Sequence, residues 1–458
     1  MIARRAYLAL AFLAIVVQAG CAFIPAQQTP IDVTVSGVVM DLKTQQGISA
    51  TITVEETASA YLTDANGRFS FTLKSEATYT LRARAAGYVD SSTQVRLSRS
   101  AAGPQLTLVS FTMAALGSGL EYSSICGRVT DRNGLPLSDA LVVLDGGKQT
   151  NGVFASKMTD TNGYFFAYGI PTEDTGGKPL SSVWVMATKA GYRAQSYPTG
   201  LVANKTIANV DFVLETMNDI PPIYEQDFET DAGGWTATGF WHRQNNDPAI
   251  VNKAYLDGIV VLPHLDDSLG RIPFAYSGNY CFWYGDANYG HFGGSSLSGG
   301  PQSGGSSATS IGTLTSPAIA LNNPTNAATL RFMTWFEIES VNPNDKGFDL
   351  MIVSISTDGG NEFTELRRLN PYCDPPTPEA DRHALAYTSG GFNQAANWIP
   401  VTVDLSDYLG KTILLRFTFD THDGFYNGFR GWFIDDIRIC PEPALPWQIG
   451  APPGTPQR

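Results

Sequence analysis

The chain has 458 residues, more than one ordinary core organises, and domain-size priors suggest roughly three domains. With 43% hydrophobic and 16% charged residues it can fill globular cores, so general disorder is excluded, and 45 glycines with an 11% aromatic share favour a turn-rich β protein. A formal net charge of −13 argues against nucleic acid as a partner, because phosphate binding needs clustered Lys and Arg.

Arg4-Arg5 forms a short positive region, Ala6–Val17 is an apolar run, and Gln18-Ala19-Gly20-Cys21 follows. This order reads as a secretory signal over residues 1–20, too short and wrongly flanked for a stable membrane span. Its end resembles a bacterial lipoprotein signal, in which small residues precede a Cys that becomes lipidated; the departure is Gln18, where that pattern usually carries Leu. The resemblance implies a lipid anchor at Cys21 on the cell surface or periplasmic face, or a secreted protein if Cys21 is not lipidated. Residues 21–30 are small and polar and suit a tether. Cys126, Cys281, Cys373 and Cys440 match no zinc spacing, and an exported context leads us to expect a disulfide among the last three.

Residues 31–114 show period-two alternation. Val33, Val35 and Val39 form one set, Ile52 and Val54 a second, Phe69, Phe71 and Leu73 a third, and Tyr79, Leu81 and Ala83 a fourth. Short alternating strands between turn clusters predict a β-sandwich. Residues 122–216 repeat the plan. Ser36-Gly37-Val38-Val39 corresponds to Cys126-Gly127-Arg128-Val129, Thr63-Asp64-Ala65-Asn66-Gly67 to Thr159-Asp160-Thr161-Asn162-Gly163, and Ala86-Gly87-Tyr88 to Ala190-Gly191-Tyr192. Three matches in one order indicate an internal duplication. The Asp-x-Asn-Gly step predicts a tight hairpin turn, its Asp accepting backbone hydrogen bonds rather than binding calcium. These motifs resemble the carboxypeptidase regulatory-like domain, which implies two transthyretin-like sandwiches of a mostly non-catalytic kind.

A short linker precedes a different segment, residues 223–440. It contains Asp227-Phe228-Glu229-Thr230, Gly234-Trp235, Ser316-Pro317, Ser356-Thr357-Asp358-Gly359-Gly360, Asp404-Leu405-Ser406 and Gly431-Trp432-Phe433-Ile434-Asp435-Asp436-Ile437. Its many strands predict a jelly-roll sandwich. In that order the motifs resemble the MAM-like domain that follows secreted metalloproteases of the immune inhibitor A type. The predicted fold class is therefore all-β: two Ig/transthyretin-like sandwiches, then a jelly roll. Residues 441–458, rich in proline, read as a disordered tail.

Catalytic motifs are missing from the sequence. There is no His-Glu-x-x-His, no G-x-S-x-G elbow and no P-loop, so the protease resemblance reaches the accessory domain alone. The polar clusters His264-Leu265-Asp266-Asp267 and Asp420-Thr421-His422-Asp423 could supply a carboxylate pair, which keeps a hydrolase as an alternative. Asp435 and Asp436 lie in one predicted strand, so one carboxylate faces inward and needs a partner. A structural Ca²⁺ between the first and last strands is the expectation, with Asp227, Glu229, Asp423, Asp435 and Asp436 as candidate ligands. For ligand binding the candidates are Trp241, Trp283, Tyr284 and Tyr289. Phe282-Trp283-Tyr284 cannot point one way, so at least one ring is expected to leave the core and stack on sugar. The expected function is non-catalytic: a β-sandwich stalk carrying a jelly roll that binds protein or glycan. A carbohydrate-binding accessory to polysaccharide breakdown is the alternative.

Overall fold

A computed structural model describes residues 29–100, 104–145, 153–173, 179–216, 221–245, 275–293, 309–322, 327–339, 349–370, 386–392, 394–424 and 426–442. The signal segment, Cys21, the His264 cluster, Cys373 and the C-terminal tail lie outside these residues. The protein is all-β. Among the described residues the helical element is one 3-10 turn, Ser406–Tyr408.

In the first repeat, Asp32–Asp41 runs antiparallel to Arg68–Lys74 and parallel to Leu106–Leu108 and Phe111–Met113. The facing sheet has the order Ser59–Leu62, Thr51–Val54, Ala77–Arg84, Ser91–Leu97. Alternation works as predicted: along Arg68–Lys74 every second residue is buried, which puts Phe69, Phe71 and Leu73 on the core. The second repeat keeps this topology. Tyr122–Asp131 pairs antiparallel with Tyr164–Pro171 and parallel with Lys205–Ile207 and Phe212–Thr216. Its facing sheet runs Val153–Met158, Leu141–Asp145, Ser182–Thr188, Gln195–Gly200.

The duplicated turn is a corner rather than a hairpin between paired strands. Thr63–Gly67 joins Ser59–Leu62 to Arg68–Lys74, and these strands belong to opposite sheets; Thr159–Gly163 does the same between Val153–Met158 and Tyr164–Pro171. Each residue type in the motif has a separate task. Asp64 Oδ1 accepts from the amides of Asn66 (2.9 Å) and Arg68 (2.8 Å), and Asp160 Oδ1 from those of Asn162 (2.8 Å) and Tyr164 (2.9 Å). Thr63 and Thr159 accept from the amides of Ala50 and Ala140 at 2.8 and 2.9 Å, tying the corner to the neighbouring loop. Gly67 and Gly163 adopt φ of +73° and +78°. A Cβ there would stand 2.2 Å from Val39 O or 2.4 Å from Val129 O, so glycine is required twice over. Gly37 and Gly127 are set by close approach: an added Cβ would meet Val109 O or Val210 O at 1.8 Å.

The third unit packs two sheets. One has the order Ala386–Thr388, Thr329–Glu339, Gly431–Cys440, Tyr280–Tyr284, Trp241–Asn245. The other runs Thr236–Ala237, Ile311–Thr315, Thr412–Asp420, Leu350–Ser356, Thr364–Arg368. Phe282, Tyr284, Phe332, Phe336, Phe417 and Trp432 fill the space between them.

Strand pairing continues across the units. Lys205 bridges to Ser92, and Thr206 Oγ1 donates to Ser110 O at 2.8 Å, joining the repeats. Ala155 pairs with Gly391, joining the second repeat to the third unit. Beside that bridge Asp145 and Arg367 form a buried ion pair, and Lys157 Nζ donates to Gln394 Oε1. Leu141, Val143 and Met186 of the second repeat are part of the third unit's apolar cluster. Cys126, Cys281 and Cys440 are free thiols, so the expected disulfide is not formed between Cys281 and Cys440.

Candidate functional site

Four of the five acids expected to bind calcium do gather where the segment around Asp227 and Glu229 meets the last strand, but hydrogen-bond donors hold them there. Glu229 Oε1 accepts from the amides of Asn279 and Tyr280, each at 2.8 Å. Asp227 Oδ1 accepts from the Glu229 amide at 3.1 Å. Ser277 serves the last strand twice: its amide donates to Asp435 Oδ2 (3.1 Å) and its hydroxyl to Asp436 Oδ1 (2.8 Å). The last strand shifts register against Thr329–Glu339 here, and Asp436 takes a φ of +46°. Asp435 is the inward carboxyl of the Asp435-Asp436 pair, fully buried, and burial pushes its pKa up to about 8. Asp423 is not part of this group; its charge acts on the buried Asp349, alongside Asp420. Among the described residues no three His, Cys, Asp or Glu side chains stand where they could hold a metal ion. In this arrangement amide and hydroxyl donors, not an ion, satisfy Asp227, Glu229, Asp435 and Asp436, and Asp423 stands apart from them.

The aromatic expectation is also corrected. Trp241 is 3% exposed, and Trp283 and Tyr284 are 0% exposed. Trp241 packs against Tyr284 and Trp432, and Tyr284 stacks on Phe419 at 4.5 Å. Trp283 does point away from the main core, as alternation demands. It does not reach solvent, because that face has a small apolar cluster of its own with Cys281, Trp335 and Phe433. Trp283 stacks on Phe433 at 5.3 Å and donates through Nε1 to Arg430 O at 2.6 Å. Arg430 is itself buried in an ion pair with Glu337. Tyr289 stacks on His291 at 5.6 Å and is the one candidate ring left partly exposed.

A cleft of about 930 Å³ that sequence reasoning missed opens on the outer face of the first repeat's Asp32–Asp41 and Arg68–Lys74 strands. Ser36, Ser70 and Ser110 line it with Leu62, Asp64 and Asp160. Both acids of the twin corners therefore face one opening, where the second repeat leans on the first. Tyr164, next to the second corner, fixes that contact by donating its hydroxyl to Leu106 O. The corner motif was a signal for this place, but its acids indicated only a local turn.

No curated protein matches the chain. Among solved structures, the cleaved adhesin domain K1 of Lys-gingipain from Porphyromonas gingivalis W83 is similar at 15% identity, covering 48% of this chain and 98% of that one with a TM-score of 0.27. A carbohydrate-binding module of the β-sandwich superfamily is similar at 12% identity, covering 65% and 84% with a TM-score of 0.23. The shaft pilin SpaA from Lactobacillus rhamnosus GG is similar at 12% identity, covering 42% and 100% with a TM-score of 0.17. Residues 35–112, nearly the whole of the first repeat, match the family model of the CarboxypepD_reg-like domain.

Proposed function

We propose that this chain is a non-catalytic, exported binding protein that engages a protein or glycan through the cleft between its two repeats. The cleft itself is the observation that carries this reading. Serine hydroxyls and the carboxylates of Asp64 and Asp160 surround an apolar Leu62 that is 79% exposed, a mixture suited to ligands rich in hydroxyl or amide groups. The buried aromatics move the expected contact away from the jelly roll, which in this reading is a MAM-like unit bracing the repeats. Lipid anchoring at Cys21 belongs to the same proposal and is supported by the signal-like order of residues 4–21. A glycan array and a panel of extracellular proteins, probed with the full chain, should give a saturable ligand. Ser70 lies on the solvent face of Arg68–Lys74, so Ser70→Trp fills the cleft without entering the core. That variant should weaken binding about tenfold or more while leaving circular dichroism unchanged. Undiminished binding by Ser70→Trp overturns the assignment, and product release from any ligand overturns the non-catalytic reading.

A further inference from the structure

The duplication lets the two repeats be compared position by position. Leu62 pairs with Thr51 in the first, and Met158 pairs with Leu141 in the second, in the same register. Ser59, Ala60, Tyr61 and Leu62 therefore correspond to Ala155, Ser156, Lys157 and Met158.

In the second repeat this strand is paired along both edges. Leu141–Asp145 takes one edge, and the third unit takes the other. The Ser156 amide donates to Gly390 O at 3.1 Å, Ala155 faces Gly391 in antiparallel register, and Asn397 Nδ2 donates to Ser156 Oγ at 2.9 Å. Among the described residues, the corresponding strand of the first repeat, Ser59–Leu62, ends its sheet. Its outer backbone edge has the geometry that accepts a strand in the second repeat. Edge strands are usually guarded by Lys, Pro or a bulge, since an open edge templates pairing. Ser-Ala-Tyr-Leu carries none of these, and the last residue is the most exposed large apolar side chain among the described residues.

We propose that Ser59–Leu62 is a docking edge for an extended, antiparallel strand of a partner protein. The occupant's chemistry follows from the filled edge of the second repeat. It carries a glycine facing Ser59, where Gly391 faces Ala155, and leaves Leu62 at the rim, as the filled edge leaves Met158 47% exposed. Backbone pairing supplies affinity and the glycine position supplies selectivity. This goes beyond the cleft assignment. Ala60 does not line the cleft, so substitutions there separate the two ideas.

The test uses the full chain and a displayed library of seven-residue peptides with glycine fixed at the centre. Selected peptides should bind one per chain and slow amide exchange at Ala60. Ala60→Pro deletes the amide that corresponds to the Ser156 donor, and Ala60→Lys, at an exposed position outside the cleft, adds a charge at the edge. Each should weaken peptide binding about tenfold or more, with melting temperature and cleft ligand binding unchanged. If Ala60→Pro unfolds the chain, Ala60→Lys carries the test alone. Failure to select any peptide, or affinity that survives the substitutions, overturns the proposal. Concentration-dependent dimerisation abolished by Ala60→Lys would also overturn it, because a second copy would then fill the edge.

Discussion

Asp435 shows how a buried charge becomes a pH-dependent term. Among the described residues its carboxyl has no basic partner; it accepts from the backbone amides of Ser277 and Asp436 among others, and burial holds its pKa at about 8 against an ordinary 3.8. Between those values the folded protein keeps a proton that the unfolded chain releases. Stability contributed by this group is therefore complete below the ordinary value and is lost as pH rises through about 8. Asp435→Asn should flatten the stability profile across that window, as read by urea denaturation at a series of pH values. The same samples test for calcium. A bound cation would pull the carboxyl back to its ionised form, so melting temperatures that coincide in EDTA and in excess Ca²⁺ are expected, and a rise with Ca²⁺ would show an ion displacing the amide donors. Strand alternation says that one of Asp435 and Asp436 faces inward without saying which, and that at least one ring of Phe282-Trp283-Tyr284 leaves the core. Trp283 is that ring, yet it does not reach solvent, because period two says which face a side chain occupies and not whether another segment covers that face. Ala275, Trp335 and Phe433 cover it here, and they are far apart in the chain.

At the scale of elements, the corner turn separates two costs that glycine avoids. Gly163 needs its positive φ and also sits 2.4 Å, measured from an imagined Cβ, from Val129 O. Gly191 has a φ of +80° with nothing within 4 Å of that position. Gly191→Ala should thus pay for backbone conformation alone, about 1 kcal/mol, whereas Gly163→Ala should cost about 3 kcal/mol because strand and corner must part. Chemical denaturation of both variants checks the difference; equal losses would mean the corner yields freely to a methyl group. That each Asp accepts backbone hydrogen bonds within a tight turn was legible in sequence. Its topology was not. A tight turn between two alternating runs reads as a hairpin, and only long-range pairing shows that Ser59–Leu62 and Arg68–Lys74 belong to opposite sheets. The ordered repeats of Gly, Asp-x-Asn-Gly and Ala-Gly-Tyr were enough for the fold class, since each fixes a local backbone requirement.

The whole molecule is held by charges as well as by sheets. Asp145 and Arg367 are 1% and 7% exposed and come from different units, which sequence could not pair because 222 positions separate them. An ion pair removed from water contributes little net stability over an apolar pair of the same shape, but removing one partner strands the other charge at the junction. Arg367→Met should therefore cost about 4 kcal/mol, and Asp145→Leu combined with Arg367→Met should recover most of it. The junction also determines how unfolding proceeds. Ala155–Gly391 pairing, the Ser156–Asn397 contact and the shared cluster around Val143 and Met186 link the second repeat to the third unit. Calorimetry should then show these two units melting in one transition in the wild type and in two in Arg367→Met, with the double variant returning to one. Two transitions already present in the wild type would mean that the continuous strand pairing carries too little energy to couple the units. The repeats would still be joined by their own contacts, Lys205 with Ser92, Thr206 with Ser110 and Tyr164 with Leu106, so the cleft would persist.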